Sequence, residues 1–477
     1  MNNDSIIESQ IKYSNFMLDD IGRIFEFNGK IYRGINKNKK NLVLEMFQSG
    51  FLPELMEKGL FVKSKISELK TKEYELVVES EKIENLIYPY EWTFSMLKKA
   101  ALLVIDIREI AKKYGFGMKD CHTYNIAFKG NKPIYLDLGT FIKTSNNCSP
   151  YFDFQEFFES YYYPLILWAE GLVYSVKFSF YYDARYPSIE FYLSKYKFLR
   201  NFDTNIVKRF IRFRNLINIL STVTDLELEE KIRAKGKNEI YIRLAKIIKK
   251  IVTKTKLGLY DLSRIKNEIN NLKEKGTTEW EKYYGDSPKL TERFKKILFY
   301  VNTMCKDAKT AVSFGANQCF FENLLLENTH IQKVICQDID YKALDIGFQK
   351  YTSNKDGKEM YFVCYDITRP IVPIAYAKAP YERFKSDIVF ALALTHHLIL
   401  KTGCSMEYII REFRKYSNKY AFIEFMPLGL WVPGAKVNVP DWYNIENFRR
   451  TLSEYFEILL EEKLEENRIL FIGKVKT

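Results

Sequence analysis

A chain of 477 residues is too long for one ordinary hydrophobic core, so two or three domains are expected. Its 47% hydrophobic and 28% charged residues exclude a disordered chain, and no apolar run reaches the length of a membrane span. The net charge of +13 suits an anionic partner such as a nucleotide, a phosphorylated glycan or a membrane surface, although surface lysine alone would also produce it.

The seven cysteines, Cys121, Cys148, Cys305, Cys319, Cys336, Cys364 and Cys404, occur singly and in odd number, which argues against a disulfide framework or a structural zinc site. The opening MNNDSIIESQ has no basic stretch followed by an apolar one, so no secretory signal is expected and the location reads as cytoplasmic. Aromatic residues make up 16% of the chain, a mild pointer to sugar or nucleobase pockets.

In chain order, Arg23 to Ile35 predicts a hairpin turning at Asn28-Gly29, followed by a strand over Glu75 to Glu79. A helix is expected from Thr93 to Tyr114, stopped by Gly115. Two short strands, Asn125 to Phe128 and Pro133 to Leu136, flank the Gly130-Asn131 turn. Residues 151 to 225 read as aromatic-rich helices, and 226 to 285 as lysine-rich ones. There Ile240, Leu244, Ile247, Ile248 and Ile251 share one helical face, while Arg243, Lys246, Lys250 and Lys254 fall on another. A bridging amphipathic helix is the first reading of that pattern, and contact with a membrane or polyanion the second.

From about residue 305 apolar strands alternate with helices: AKTAVSF, KVICQDID, EMYFVCYD, SDIVFALAL and YAFIEFMP. That alternation predicts a mainly parallel sheet covered on both faces, with ligands at the carboxyl ends of its strands. After the first strand, Gly315 in Ser313-Phe314-Gly315-Ala316-Asn317 allows close backbone approach to a ligand at a helix amino end. After the second, Asp338 stands where a carboxylate accepts from ribose hydroxyls, while Asp340 could instead cap the next helix. After the third, Asp366 could accept from an adenine amino group. The fourth runs through Ala391 into Thr395-His396-His397.

Three such turns in this order resemble the class I S-adenosylmethionine-dependent methyltransferases. More closely, the chain is similar to a bacterial subfamily of nodulation host-specificity methyltransferases with a long N-terminal extension. The resemblance runs through YPYEWTFSMLKKAALL (88–103), KDCHTYNIAFKGNKPIYLDLGTF (119–141), FGANQ, QDID, ALALTHHL and IEFMP. It implies that Gly315 and Asn317 flank the cofactor, that Asp338 holds its ribose, and that Asp366 approaches its adenine, with Ser313 and Ala391 also in the cofactor site. Ser313 stands where the family has an acidic residue, and Cys319 where it has a second glycine, so a carboxylate near the methionine amino group is missing and the turn is narrowed. For chemistry, His396 or His397 is the expected base, with Glu424 as a second candidate for base or substrate-hydroxyl acceptor.

In the N-terminal half, Asp120-Cys121-His122-Thr123-Tyr124-Asn125 and Asp137-Leu138-Gly139 look like the catalytic loop of a kinase or aminoglycoside phosphotransferase. The likeness makes Asp120 the residue that orients the attacking hydroxyl, and Asn125 and Asp137 the ligands of magnesium if the site is active. No glycine-rich loop precedes it and no third-strand lysine is evident, with Arg33 the only replacement in view. An inactive, substrate-binding domain is therefore the leading expectation.

The fold class expected is α/β: a Rossmann-like methyltransferase sheet with helices on both faces over residues 296–477, after an α+β kinase-like domain over 1–150 and a helical region over 151–295. The expected activity is methyl transfer from S-adenosylmethionine to an oxygen of a saccharide or glycolipid. The alternatives are a bifunctional kinase–methyltransferase that also uses ATP and magnesium, and a non-enzymatic nucleotide-binding scaffold. Nucleic acid is not an expected partner, because no (D/N)PP(Y/F) tetrapeptide follows the fourth strand; peripheral membrane contact remains open, and the oligomeric state is not legible.

Overall fold

The computed structural model describes residues 11–13, 20–144, 155–181, 185–186, 188–222, 225–236, 238–254, 262–285, 288–351, 357–370, 377–432 and 438–476. The opening decapeptide, Cys148 and the side chain of Lys254 lie outside the described residues; the other six cysteines are free thiols. The chain forms two compact units, one of residues 1–82, 97–127 and 133–275, the other of 83–96, 128–132 and 276–477. These differ from divisions at 150 and 295: no boundary falls near 150, the last falls between 275 and 276, and two short N-terminal segments count with the C-terminal unit.

In the first unit, β1 (Lys12–Tyr13), β2 (Gly22–Phe27), β3 (Lys30–Ile35), β4 (Ser64–Ser67) and β5 (Leu76–Ser80) make an antiparallel sheet in the order β1-β2-β3-β5-β4. The β2–β3 turn sits at Asn28-Gly29, both at positive φ, as a two-residue hairpin requires. Phe25, Tyr32, Tyr74 and Val77 bury one face of this sheet. Helix Phe94–Lys113 matches the expected span and ends before Gly115, whose φ is +72°. Then come β6 (Phe116–Met118), the hairpin strands β7 (Ile126–Lys129) and β8 (Lys132–Tyr135), whose turn residues 128–132 count with the second unit, and β9 (Phe141–Lys143), which pairs with β6.

Helix Glu239–Lys254 departs from the bridging expectation. Ile242 is buried and Ala245 packs against the buried Leu220 and Leu228, while Ile240, Leu244, Ile247, Ile248 and Ile251 are all exposed. Lys246 and Lys249, on its inner side, pair with Glu229 and Asp225. The isoleucine face points outward.

The second unit is built on seven strands: β10 (Thr310–Phe314), β11 (Lys333–Asp338), β12 (Glu359–Cys364), β13 (Ser386–Ala391), β14 (Ser417–Phe425), β15 (Phe456–Glu465) and β16 (Arg468–Val475). Their order is β12-β11-β10-β13-β14-β16-β15; β10 to β14 are parallel, and β16 runs antiparallel between β14 and β15. Counted within this sheet the order is 3-2-1-4-5-7-6, a doubly wound arrangement with an antiparallel last strand inserted beside the sixth. The central strands are near-continuous apolar runs because helices cover both faces. Edge strand β15 instead alternates half-buried with exposed positions after the buried Phe456, and its Glu and Lys residues discourage further pairing. Thr291, Asp340, Ser405 and Asn444 accept backbone N–H bonds at the starts of their helices.

The segment 83–96 is tied into this unit by charge. Arg383 donates from Nη1 to Glu91 Oε2 at 2.8 Å and from Nη2 to Oε1 at 2.5 Å, with both side chains almost fully buried. Glu91 also accepts from the Tyr88 backbone, and Arg383 stacks on the Tyr88 and Phe384 rings. Ser95 donates from its backbone and hydroxyl to Asp345. Breaking a buried pair leaves one charge uncompensated, so Glu91→Leu should cost about 3–5 kcal/mol in urea unfolding, and Glu91→Leu with Arg383→Met clearly less. A loss below about 1 kcal/mol for the single variant would contradict this role.

Candidate functional site

The strand order reverses between β10 and β13, the place where doubly wound sheets open a crevice for ligands. Beyond β10 the backbone takes positive φ at Gly315 (68°), Asn317 (52°) and Cys319 (60°) before helix Phe320–Asn328 begins. A Cβ on Gly315 would lie 3.2 Å from Leu394, beyond β13, so glycine lets these two strand ends close on each other.

Asp338 terminates β11 and is buried. Its Oδ2 accepts from the Asn317 backbone N–H at 2.7 Å, and its Oδ1 from the Asp340 N–H at 2.8 Å. Burial pushes its carboxyl up to about 6 despite these two donors. Each oxygen keeps acceptor capacity, which suits hydroxyl donors such as a ribose diol. Asp340 caps helix Tyr341–Lys350 and accepts from Thr278 Oγ1 and the Trp280 N–H. Asp366, half-buried after β12, accepts from the Thr368 N–H and hydroxyl through Oδ1.

The two departures in the first turn have structural answers. Ser313 Oγ donates to Glu322 Oε1 at 2.5 Å, so a carboxylate from the following helix stands beside the serine. Glu322 is buried, its carboxyl is pushed up to about 7 by that burial, and its Oε2 has no partner among the described residues. Cys319, expected to narrow the turn, sets its thiol against helix Tyr341–Lys350. A Cβ on Gly347 of helix Tyr341–Lys350 would lie 2.7 Å from Cys319 Sγ, so the thiol fills the space that Gly347 leaves.

Glu424 is corrected as a candidate base. It is fully buried in β14, with Oε1 accepting from Arg293 Nε at 2.6 Å. Its Oε2 accepts from Arg293 Nη2 at 2.7 Å, Arg468 Nη1 at 3.2 Å and the Ala393 N–H at 2.8 Å. A carboxylate so occupied is a positioning group: it holds Ala393, at φ +52°, and thereby the exit of β13. Thr395 adds a bond from its hydroxyl to the Glu424 carbonyl.

That exit presents the two histidines, with ring centroids 4.0 Å apart and both Nδ1 atoms buried without partners among the described residues. Burial pushes His396 down to about 3, with the neighbouring His397 and Arg468 acting in the same direction. His397 starts a π-helical turn, His397–Lys401, and is less buried; burial and Lys401 lower its pKa while Glu279 opposes them. It packs edge-on against Trp280, whose carbonyl accepts from Asn317 Nδ2 at 3.0 Å. Gln318 Nε2 donates to the next carbonyl, that of Glu281. Trp280 and Glu322 were not singled out in the sequence. An acidic residue nine positions after the serine was the available signal for the second.

In the first unit, Asp120, Asn125 and Asp137 come together through one hydroxyl. Thr140 Oγ1 donates to Asp137 Oδ2 (3.1 Å) and lies within bonding distance of the Asp120 carbonyl (3.2 Å) and Asn125 Nδ2 (3.4 Å). Asp137 Oδ1 pairs with Arg33 of β3 at 2.8 Å, and Asp120 lies 3.2 Å from Arg185. Among the described residues no group of three or more histidine, cysteine or acidic side chains is arranged to hold a metal ion.

No protein-family profile matches the chain. Nodulation protein NoeA of Rhizobium meliloti (strain 1021) is 22% identical over 427 residues, spanning 86% of this chain and 83% of that protein. Among solved structures, magnesium protoporphyrin IX methyltransferase from Synechocystis PCC 6803 with bound SAH has a TM-score of 0.31 at 13% identity, covering 41% of this chain and 93% of the other. N-methyltransferase NodS from Bradyrhizobium japonicum WM9 with S-adenosyl-L-homocysteine has a TM-score of 0.30 at 12% identity, covering 42% and 94%. Both are methyltransferases by name, and the similarity to them is low.

Asp338 and Glu322 keep their protons to higher pH in the folded chain than in the unfolded one. The folded state therefore binds more protons between about pH 4 and 7, and stability falls as pH rises through that window. Glu322→Gln should flatten this dependence, so that the drop in melting temperature from pH 5 to pH 7.5 is smaller than in the wild type. Superimposable profiles would contradict the burial assigned to Glu322.

Proposed function

We propose that the chain is an S-adenosylmethionine-dependent methyltransferase acting on a hydroxyl of a saccharide or glycolipid. The observation that carries the proposal is the buried Asp338 carboxylate, held by the Asn317 and Asp340 backbones beside Gly315 at the reversal of a 3-2-1-4-5-7-6 sheet. The residues fit the cofactor. Asp338 offers two acceptors to ribose hydroxyls, Asp366 retains Oδ2 for an adenine amino group, and the Gly315–Asn317 backbone is open to close approach. Glu322, held by Ser313 and with Oε2 unpartnered among the described residues, supplies the carboxylate for a methionine ammonium. Ala391 closes the strand end beside them.

When bound, S-adenosylmethionine supplies an electrophilic methyl group on a sulfonium. His397 is the preferred proton acceptor for the acceptor hydroxyl. At about 3, His396 is too weak a base near neutrality, whereas His397 is less buried and sits on a turn beside Trp280. Glu424, Arg293 and Arg468 fix the backbone that aims it. The oxygen acceptor and its saccharide class rest on the resemblance to nodulation methyltransferases, and the relative NoeA is named a nodulation protein.

The kinase-like reading of the first unit is supported by the β1-β2-β3-β5-β4 sheet, the β7–β8 hairpin and the gathering of Asp120, Asn125 and Asp137. Arg33 already neutralises Asp137, which favours an inactive domain that helps hold substrate over one loaded with ATP and magnesium.

Transfer of labelled methyl from S-adenosylmethionine into a bacterial glycan or glycolipid fraction tests the reading. His397→Ala should lower the rate 100-fold or more with little change in cofactor affinity, whereas His396→Ala should cost far less. Wild-type protein should show no magnesium-dependent ATP turnover. Turnover abolished by Asp137→Ala would establish the bifunctional alternative, and no transfer to any acceptor despite cofactor binding would establish a scaffold.

A further inference from the structure

The outward isoleucine face of helix Glu239–Lys254 does not belong to the methyl-transfer site and needs its own account. Ile240, Leu244, Ile247, Ile248 and Ile251 follow one another at steps of four, three, one and three residues, and lie within roughly a third of the helix circumference. They are 64%, 51%, 56%, 47% and 55% exposed. Helix Thr204–Thr222, packed against it, likewise turns Ile206, Phe210 and Phe213 to solvent. An ordinary surface helix buries its apolar stripe and exposes its charges. Here the inner side carries the lysine–carboxylate pairs and the outer side carries the hydrocarbon.

Exposed cations border the apolar side chains: Lys208, Arg209 and Arg212 on the first helix, Arg243 and Lys250 on the second. A contiguous apolar patch rimmed by charge marks an interaction surface. From this pattern we infer that the two helices form an interfacial docking surface for an anionic phospholipid bilayer. The isoleucine and phenylalanine side chains enter the acyl boundary while the arginines and lysines meet lipid phosphates. A second copy of the chain fits less well, because pairing the face with itself would oppose like charges. No described helix is long and apolar enough to cross a membrane, so the helices lie in the interface plane. The inference stands whether or not the second unit transfers methyl groups.

Co-sedimentation of the intact protein with vesicles tests it. Vesicles of phosphatidylcholine and phosphatidylglycerol in equal parts should bind the protein, pure phosphatidylcholine vesicles far less, and raised salt should weaken the binding. Ile247→Asp with Ile248→Asp should lower partitioning at least tenfold while leaving the urea midpoint unchanged, since both side chains are exposed. Arg243→Glu and Lys250→Glu should each lower it about fivefold or more. Equal sedimentation with both vesicle types, or of wild type and the double aspartate variant, would overturn the inference. So would a wild-type dimer in analytical ultracentrifugation that the same variants dissolve, with no vesicle binding.

Discussion

One buried carboxylate organises the candidate site. Asp338 spends one lone pair of each oxygen on a backbone N–H, from Asn317 after β10 and from Asp340 after β11, and so fixes the two strand exits against each other. Those donors favour the ionised form, yet burial outweighs them and holds the carboxyl near 6. A carboxylate in that condition is under-solvated, and further hydroxyl donors would relieve it. Asp340 extends the arrangement by capping the next helix and holding Thr278 and the Trp280 backbone.

Around this centre, departures in one residue are answered by another. Ser313 lacks a carboxylate, and Glu322 places one 2.5 Å from its hydroxyl. Cys319 brings a thiol to a turn, and the missing side chain of Gly347 makes room for it. Glu424 sits at a strand exit where a base would be useful, yet its charge is consumed by Arg293 and Arg468. Its contribution is to hold a left-handed Ala393, which sets the direction in which the histidines leave the sheet.

Much of this was legible in the chain because it is local. The parallel strands announce themselves as unbroken apolar runs, Asn28-Gly29 as a hairpin turn and Asp340 as a helix cap, since each depends on near neighbours in sequence. What escaped depends on distant partners. Glu91 and Arg383 are separated by 292 residues, so nothing local discloses that 83–96 joins the second unit. Glu424 looked available until its two arginines, 131 and 44 positions away, were placed beside it. The isoleucine stripe was legible in its spacing but not in its direction, because periodicity defines a helical face and not which side of it meets the protein.

The most direct measurement is a calorimetric titration of the intact protein with S-adenosyl-L-homocysteine. The account predicts one site per chain, weakened at least tenfold by Asp338→Asn, a change that keeps the shape, turns one acceptor oxygen into a donor and removes the charge from the other. No binding by the wild type, or equal affinity in the variant, would contradict it.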